Sequence, residues 1–417
     1  MKLMIALCLL SAQTLHADSL DMLRRAIGTG DLTVMENLLA SGLNPNQQDR
    51  QGQTPLAFAL WIGRVPAVEL LLTWHADPNA PMNSGNPSSE TPLQYAIQNR
   101  NLRMASVLIA GGARIDTPAQ GGRTPLHTAV AAGGLDMIQL LIYKGADPNA
   151  RDAEGASPLD DAAWNGSLDV VALLLAHGAH LNDFDTKTGA TPINEAAYRG
   201  HTPMIQYLLQ FHPDLGIADK KGHGPLLNAI LMGKEEAALL LLAAEPKPAP
   251  FFETAMEAAL TKDYSSVVAA LLQRGMNVNG VVLSSGATPL AAAAASGATS
   301  VVRLLLDNNA DPNEASGHGT TTPLEEAGLR GFDSIAGLLI DHGAAINHVN
   351  TGSGITALYA AASFGKSTAV KLLLDRGANP NLCGEKRKTP YQVALENGYK
   401  EVAAQIENHG GAKNCDR

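Results

Sequence analysis

The chain has 417 residues, of which 45% are hydrophobic, 17% charged and only 4% aromatic, and its formal charge is −10. An acidic chain is a poor ligand for nucleic acid, whose binding depends on Lys and Arg contacts to phosphate. Beyond residue 17 no segment reaches the roughly 18 uninterrupted apolar residues of a spanning helix, so a soluble mature chain without a membrane span is expected.

Residues 1–17 read as a leader. Lys2 is followed by an apolar run from Leu3 to Leu10 and a polar stretch ending Leu15-His16-Ala17. This is the pattern of a secretory signal peptide cleaved after Ala17, and an extra hydrophobic N-terminal turn is the alternative reading. Cys8 lies inside the run and does not look like a lipidation cysteine. Loss of Lys2 would take the charge from −10 to −11.

From residue 18 one word returns at nearly constant spacing. It stands as Thr54-Pro55-Leu56, Thr91-Pro92-Leu93, Thr124-Pro125-Leu126, Thr288-Pro289-Leu290 and Thr322-Pro323-Leu324. Variants fill the gaps at Ser157-Pro158-Leu159, Thr191-Pro192-Ile193, Gly224-Pro225-Leu226, Thr254-Ala255-Met256, Thr356-Ala357-Leu358 and Thr389-Pro390-Tyr391, with Asp21-Met22-Leu23 as a degenerate first copy. The steps are 33, 37, 33, 33, 34, 33, 30, 34, 34, 34 and 33 residues, and a fixed period of this size means a stacked repeat array.

Each repeat has the same anatomy. The Thr hydroxyl suits an N-cap and the Pro a first helical turn. Thirteen residues after the Thr comes an apolar block, such as Val170-Val171 with Leu173-Leu174-Leu175, read as an inner helix buried on most sides. Gly145-Ala146-Asp147-Pro148-Asn149 and its variants then end that helix, with Gly in the left-handed region and Pro blocking continuation. The unit is helix, tight turn, helix, loop.

Two defects stand out. The step of 37 lengthens the loop Pro81 to Ser89, which suits either a binding finger or a tolerated insertion. The step of 30 coincides with Pro246-Lys247-Pro248-Ala249-Pro250, where the Gly-Ala-Asp turn is missing. A break at 246–250 is expected to divide seven repeats over 18–245 from five over 251–417, the last with a C-terminal cap. Cys383 and Cys415 sit in corresponding loops one repeat apart. Stacking brings such loops together, so a disulfide in an oxidising compartment is expected, against two unpaired thiols.

The pattern closely resembles the ankyrin repeat. The full signature stands once, at Thr124-Pro125-Leu126-His127-Thr128-Ala129. The resemblance covers roughly residues 18–417 and implies an all-α solenoid of about twelve helix-turn-helix units with finger loops. Other copies lack the His, carrying for example Gln94, Asp160, Asn194, Glu325 or Gln392 there. That departure is expected to weaken local turn bonding.

Catalytic patterns do not assemble. Gly365-Lys366-Ser367 mimics the end of a phosphate loop but lacks the upstream Gly, Ala360 standing there, and it falls at an inter-helix turn. His177, His342 and His409 share one repeat position, one or more repeats apart, so a compact metal site is not expected. Lys386-Arg387-Lys388 reads as a solvated loop tip. No enzyme activity, metal or cofactor is expected.

The resemblance implies that a protein partner lies against the concave face, made by finger loops and first-helix ends. By position this selects Trp61, Ile62, Trp164, Asn165, Tyr198, Arg199, Leu231, Met232, Leu329, Arg330 and Phe364. Trp and Tyr are rare here and are favoured interface anchors, although Trp61 and Trp164 would also suit packing against the adjacent repeat. Trp74 reads as structural. The expected function is a monomeric, non-catalytic scaffold in the periplasm. The alternatives are an inhibitor or immunity protein against a toxin or enzyme, and a secreted effector binding a host protein.

Overall fold

The computed structural model describes residues 19–82, 90–245, 252–280, 286–315, 321–384 and 387–415. The leader 1–17, most of the long loop at 83–89, the Pro-rich stretch 246–250 and Lys386 lie outside the described residues. Within them the chain forms twelve helix pairs and no strand. The pairs are α1 (19–29) with α2 (Leu32–Ala40), α3 (Pro55–Trp61) with α4 (Val65–Thr73), α5 (Pro92–Gln98) with α6 (Leu102–Ala110), α7 (Pro125–Ala132) with α8 (Leu135–Tyr143), α9 (Pro158–Asn165) with α10 (Leu168–Ala176), and α11 (Pro192–Arg199) with α12 (Thr202–Leu209). They continue as α13 (Pro225–Leu231) with α14 (Glu235–Ala244), α15 (Phe252–Thr261) with α16 (Ser265–Gln273), α17 (Pro289–Ser296) with α18 (Thr299–Asp307), α19 (Pro323–Arg330) with α20 (Asp333–Asp341), α21 (Ala357–Ser363) with α22 (Ser367–Asp375), and α23 (Pro390–Glu396) with α24 (Lys400–Asn408).

Two compact units result. One comprises residues up to 196 together with 206–220, the other 197–205 with the residues from 221 on. In the first, α5 packs on α7 and α7 on α9, while α4, α6, α8 and α10 form a parallel row. In the second, α13, α15, α17, α19, α21 and α23 form one row and the even-numbered helices from α14 to α24 another. The first helices carry the denser core: all six residues from Ala357 to Ala362 of α21 are buried. The second helices are less enclosed than the apolar block suggests. In α10, Val170, Val171 and Leu174 are buried, but Leu173 and Leu175 are half-buried. An outer-row helix has repeat neighbours only on its flanks, so an apolar stripe is covered rather than a whole circumference.

Local chemistry explains why each short helix starts and stops. Thr54, Thr91, Ser157, Thr288, Thr322, Thr356 and Thr389 each accept the amide three residues on. At the other end of the pair, Gly145 takes φ +93° and donates to Ile142 O at 2.9 Å, while Ala146 donates to Leu141 O at 3.0 Å. A residue with a Cβ pays a steric cost in that left-handed conformation, which is why Gly recurs there. Gly365 is likewise a turn residue at φ +64°, and a Cβ there would lie 2.4 Å from the Tyr399 ring. Where the Gly-Ala-Asp turn is missing, Arg274 donates to Ala243 O at 2.8 Å and Glu245 O at 2.7 Å, satisfying carbonyls at the end of α14. Cys383, before α23, and Cys415, after α24, are joined by a disulfide with Cα atoms 6.0 Å apart.

Candidate partner-binding surface

A seven- or eight-residue helix with a fixed N-cap has a fixed outward face. In α3, Pro55, Leu56, Ala57, Ala59 and Leu60 are buried. Phe58 and Trp61, three residues apart, therefore share the remaining side. Trp61 is 64% exposed, Trp164 at the corresponding place on α9 is 40% exposed, and Phe364 at the end of α21 is 55% exposed. Leu231, Met232, Asn165, Arg199 and Arg330 are exposed, and Ile62, Tyr198 and Leu329 are half-buried. Both tryptophans thus retain solvent-facing surface beyond any packing on a neighbouring repeat, whereas Trp74 is half-buried.

The first unit shows how these side chains are held. The Phe58 and Trp61 rings lie 6.2 Å apart, and the Arg24 guanidinium sits 4.5 Å over Phe58. Arg24 is tied to Asp49 by an ion pair and donates to Gln53 Oε1 at 3.2 Å. Composition and spacing singled out Trp61 but not Phe58 or Arg24. An open groove of about 480 Å³ is lined by Glu90, Gln98, Ala119, Gln120, Arg123, Thr128, Ala131 and Ala132. Arg123 is fixed by Asp161 at 2.5 Å and Asp152 at 3.4 Å. In the second unit a groove of about 420 Å³ includes Leu329, Tyr359, Phe364, Lys388, Val393 and Glu396, with Lys388 paired to Glu396. Arg387 next to it is exposed, as a loop-tip reading requires.

At some departures from the signature His other polar side chains keep the bond, as at Gln94, Asn194 and Glu325, whereas Ala57, Leu227 and Ala291 have no side-chain group to make it. His127 Nδ1 accepts from the Thr124 amide at 3.2 Å, and Nε2 donates to Ala156 O in the next loop at 3.0 Å. Burial, the largest influence, lowers the His127 pKa, so the ring is neutral with its proton on Nε2. Gln94 closes the same ring with Thr91 and donates to Thr117 O at 2.9 Å, and Asn194 donates to Ile217 O at 3.1 Å. Glu325 is met from the next loop by His348 Nδ1 at 2.9 Å and Asn350 Nδ2 at 3.1 Å. Asp160 is buried and accepts the Ser157 amide and hydroxyl on Oδ2, both at 2.8 Å.

A second set of bridges was visible in the sequence only as a turn residue. Asn149 donates to Gly178 O at 2.9 Å and accepts the His180 amide at 2.8 Å. Asn79, Asn313 and Asn381 make the same pair of bonds one repeat onward. Each bridge ties the turn after one second helix to the turn after the next. Among the described residues no three His, Cys, Asp or Glu side chains converge as metal ligands. His342 and His409 instead bond the carbonyls of Leu338 and Gln405 and reach Asp307 and Asp375 of the preceding repeat at 3.7 and 3.4 Å. No helix among the described residues is long and apolar enough to cross a membrane.

A family model described as "Ankyrin repeats (3 copies)" matches residues 23–119, 79–152, 118–185, 159–251, 246–316 and 324–416. The chain is 34% identical over 90 residues to glycerophosphocholine phosphodiesterase gde1 of Schizosaccharomyces pombe, a match covering 22% of this chain and 8% of that protein. It is 30% identical over 92 residues to putative ankyrin repeat protein FPV014 of fowlpox virus, covering 22% of this chain and 20% of that one. The chain thus spans at most 20% of the length of these curated relatives. Among solved structures, the ankyrin repeat domain of Bcl-3, a member of the IkappaB protein family, is similar with a TM-score of 0.48 and 28% identity, over 53% of this chain and 97% of that one. The chain belongs to the ankyrin repeat family.

Proposed function

We propose that the chain is a non-catalytic scaffold that binds a partner protein along the face built by its finger loops and first-helix ends. The observation that carries this reading is the exposed aromatics at first-helix ends: in the first unit Trp61 and Trp164 each stand seven residues after the capping residue, and in the second unit Phe364 stands eight after Thr356, outward from a core built largely of Ala and Leu. Ankyrin repeats serve generally as protein–protein interaction scaffolds. Exposed Trp in a rigid setting is what an interface anchor requires, since truncating such residues costs most of the binding energy at many interfaces. Rigidity also reduces the ordering cost of association, and the Arg24 clamp and the Asn bridges supply it. The match to the phosphodiesterase covers 8% of that protein and transfers no activity.

The same proposal places the protein in the periplasm. The leader pattern at 1–17 and the Cys383–Cys415 bond support an exported, oxidising location. A photo-crosslinking residue introduced at position 61, 164 or 364 tests the surface in intact cells, with position 143 as control. Tyr143 is 83% exposed but ends a second helix. The proposal expects a partner protein to be captured from the first-helix sites of each unit, 61 and 164 in the first and 364 in the second, and not from 143. Capture from 143 alone, or from none of the four, would contradict it.

A further inference from the structure

In several repeats the residue three places after the capping Thr or Ser bonds one repeat to the next. In the first unit Gln94, His127 and Asn194 each send an N–H to a carbonyl of the following loop. Asp160 occupies the same place between His127 and Asn194 and has no N–H to offer. Its Oδ2 is used by Ser157, while Oδ1 is buried and has no hydrogen-bond partner. The other buried acidic residue at this position, Glu325, is met by donors from the next loop, His348 and Asn350. No such pair reaches Asp160. A buried carboxylate oxygen with no donor is costly, whereas a carboxylic acid turns that oxygen into the donor the position calls for.

We infer that Asp160 is held in the folded protein as the neutral acid, with Oδ1–H donating to a backbone carbonyl of the 183–190 loop, so that this seam closes when Asp160 is protonated and loosens when it ionises. Burial is the largest influence on the group and pushes its pKa up to about 7, with the Ser157 bonds opposing. Of the charges that face it, Asp185 in the loop also disfavours ionisation, and Arg151 favours it. Arg151 is engaged elsewhere: it pairs with Asp183 at 2.7 Å and donates to Phe184 O at 2.8 Å and Gly155 O at 3.0 Å. On the α7 side Arg123 is held by Asp152 and Asp161, and His127 is neutral.

Because the folded pKa is raised above that of the unfolded carboxyl, near 4, the contribution of this group is complete at acid pH and falls as pH rises through neutrality. The test uses the full chain carrying ¹³C-carboxyl Asp, with the Asp160 signal assigned by its loss in Asp160→Asn, together with hydrogen exchange of residues 185–196. The Asp160 carboxyl should titrate near neutrality. Exchange protection of 185–196, corrected for intrinsic rates, should fall by about thirty-fold between about pH 5.5 and about pH 8.5. Asp160→Asn, which supplies a permanent donor, should hold its protection over that range. A carboxyl already ionised at about pH 5.5 in the wild-type chain overturns the inference without reference to any variant, and so does wild-type protection that does not change with pH.

Discussion

At the scale of single residues, the fold is governed by which side chains reach into the next repeat. His127 does so with both ring nitrogens committed, one to Thr124 and one to Ala156. His127→Ala would orphan a buried amide and a half-buried carbonyl and should cost about 1–3 kcal/mol, read from urea unfolding at neutral pH. His127→Gln should recover most of it, because Gln94 makes the equivalent bonds. The pH dependence has a definite sign. Burial lowers the folded pKa below the ordinary 6.5, so the contribution is complete above that value and is lost as pH falls toward the depressed one. Unfolding midpoints of wild type and His127→Gln should therefore diverge below about pH 6.5, with the wild type losing more. The identities at this position are plain in the sequence. Their partners are not, because the receiving carbonyls lie 23 or 29 residues away and become neighbours only when the repeats stack.

At the scale of elements, the twelve helix pairs were legible because period, cap and terminator agree. Thr at the N-cap, Pro at N1 and Gly at the exit each impose a backbone conformation that the structure shows. The burial of the second helices is less complete than the apolar run implies, since a run does not say how many sides have neighbours; α10 leaves Leu173 and Leu175 half-buried. The pair α23–α24 packs on α21 and α22, and the disulfide ties the loop before α23 to the segment after α24. Cys415→Ser should release about 3–4 kcal/mol of constraint in the chain-entropy model for a loop of this length. Repeat arrays couple mainly through nearest neighbours, so the effect should concentrate in α23 and α24. Hydrogen exchange should show lost protection over 390–408, little change in α13–α16, and the same pattern in wild-type protein under reductant. Uniform loss across α13–α24 would argue that the cap governs the whole unit.

At the scale of the molecule, the proposed function makes the repeats a framework that displays the first-helix ends. First-helix ends could be picked out because aromatic residues are scarce and yet gather there. The Arg24–Phe58 support and the two grooves could not, since they join residues from different repeats. Stability spread over repeats also implies that denaturant unfolding need not be two-state. Spectroscopic and hydrogen-exchange midpoints are expected not to coincide. The most direct measurement is the affinity of the crosslinked partner, once purified, for wild type and for Trp61→Ala, Trp164→Ala and Tyr143→Ala variants of unchanged circular dichroism. Each Trp variant should weaken binding by roughly thirty-fold, corresponding to about 2 kcal/mol, with Tyr143→Ala binding as wild type. Folded Trp variants that bind as tightly as wild type would contradict the account.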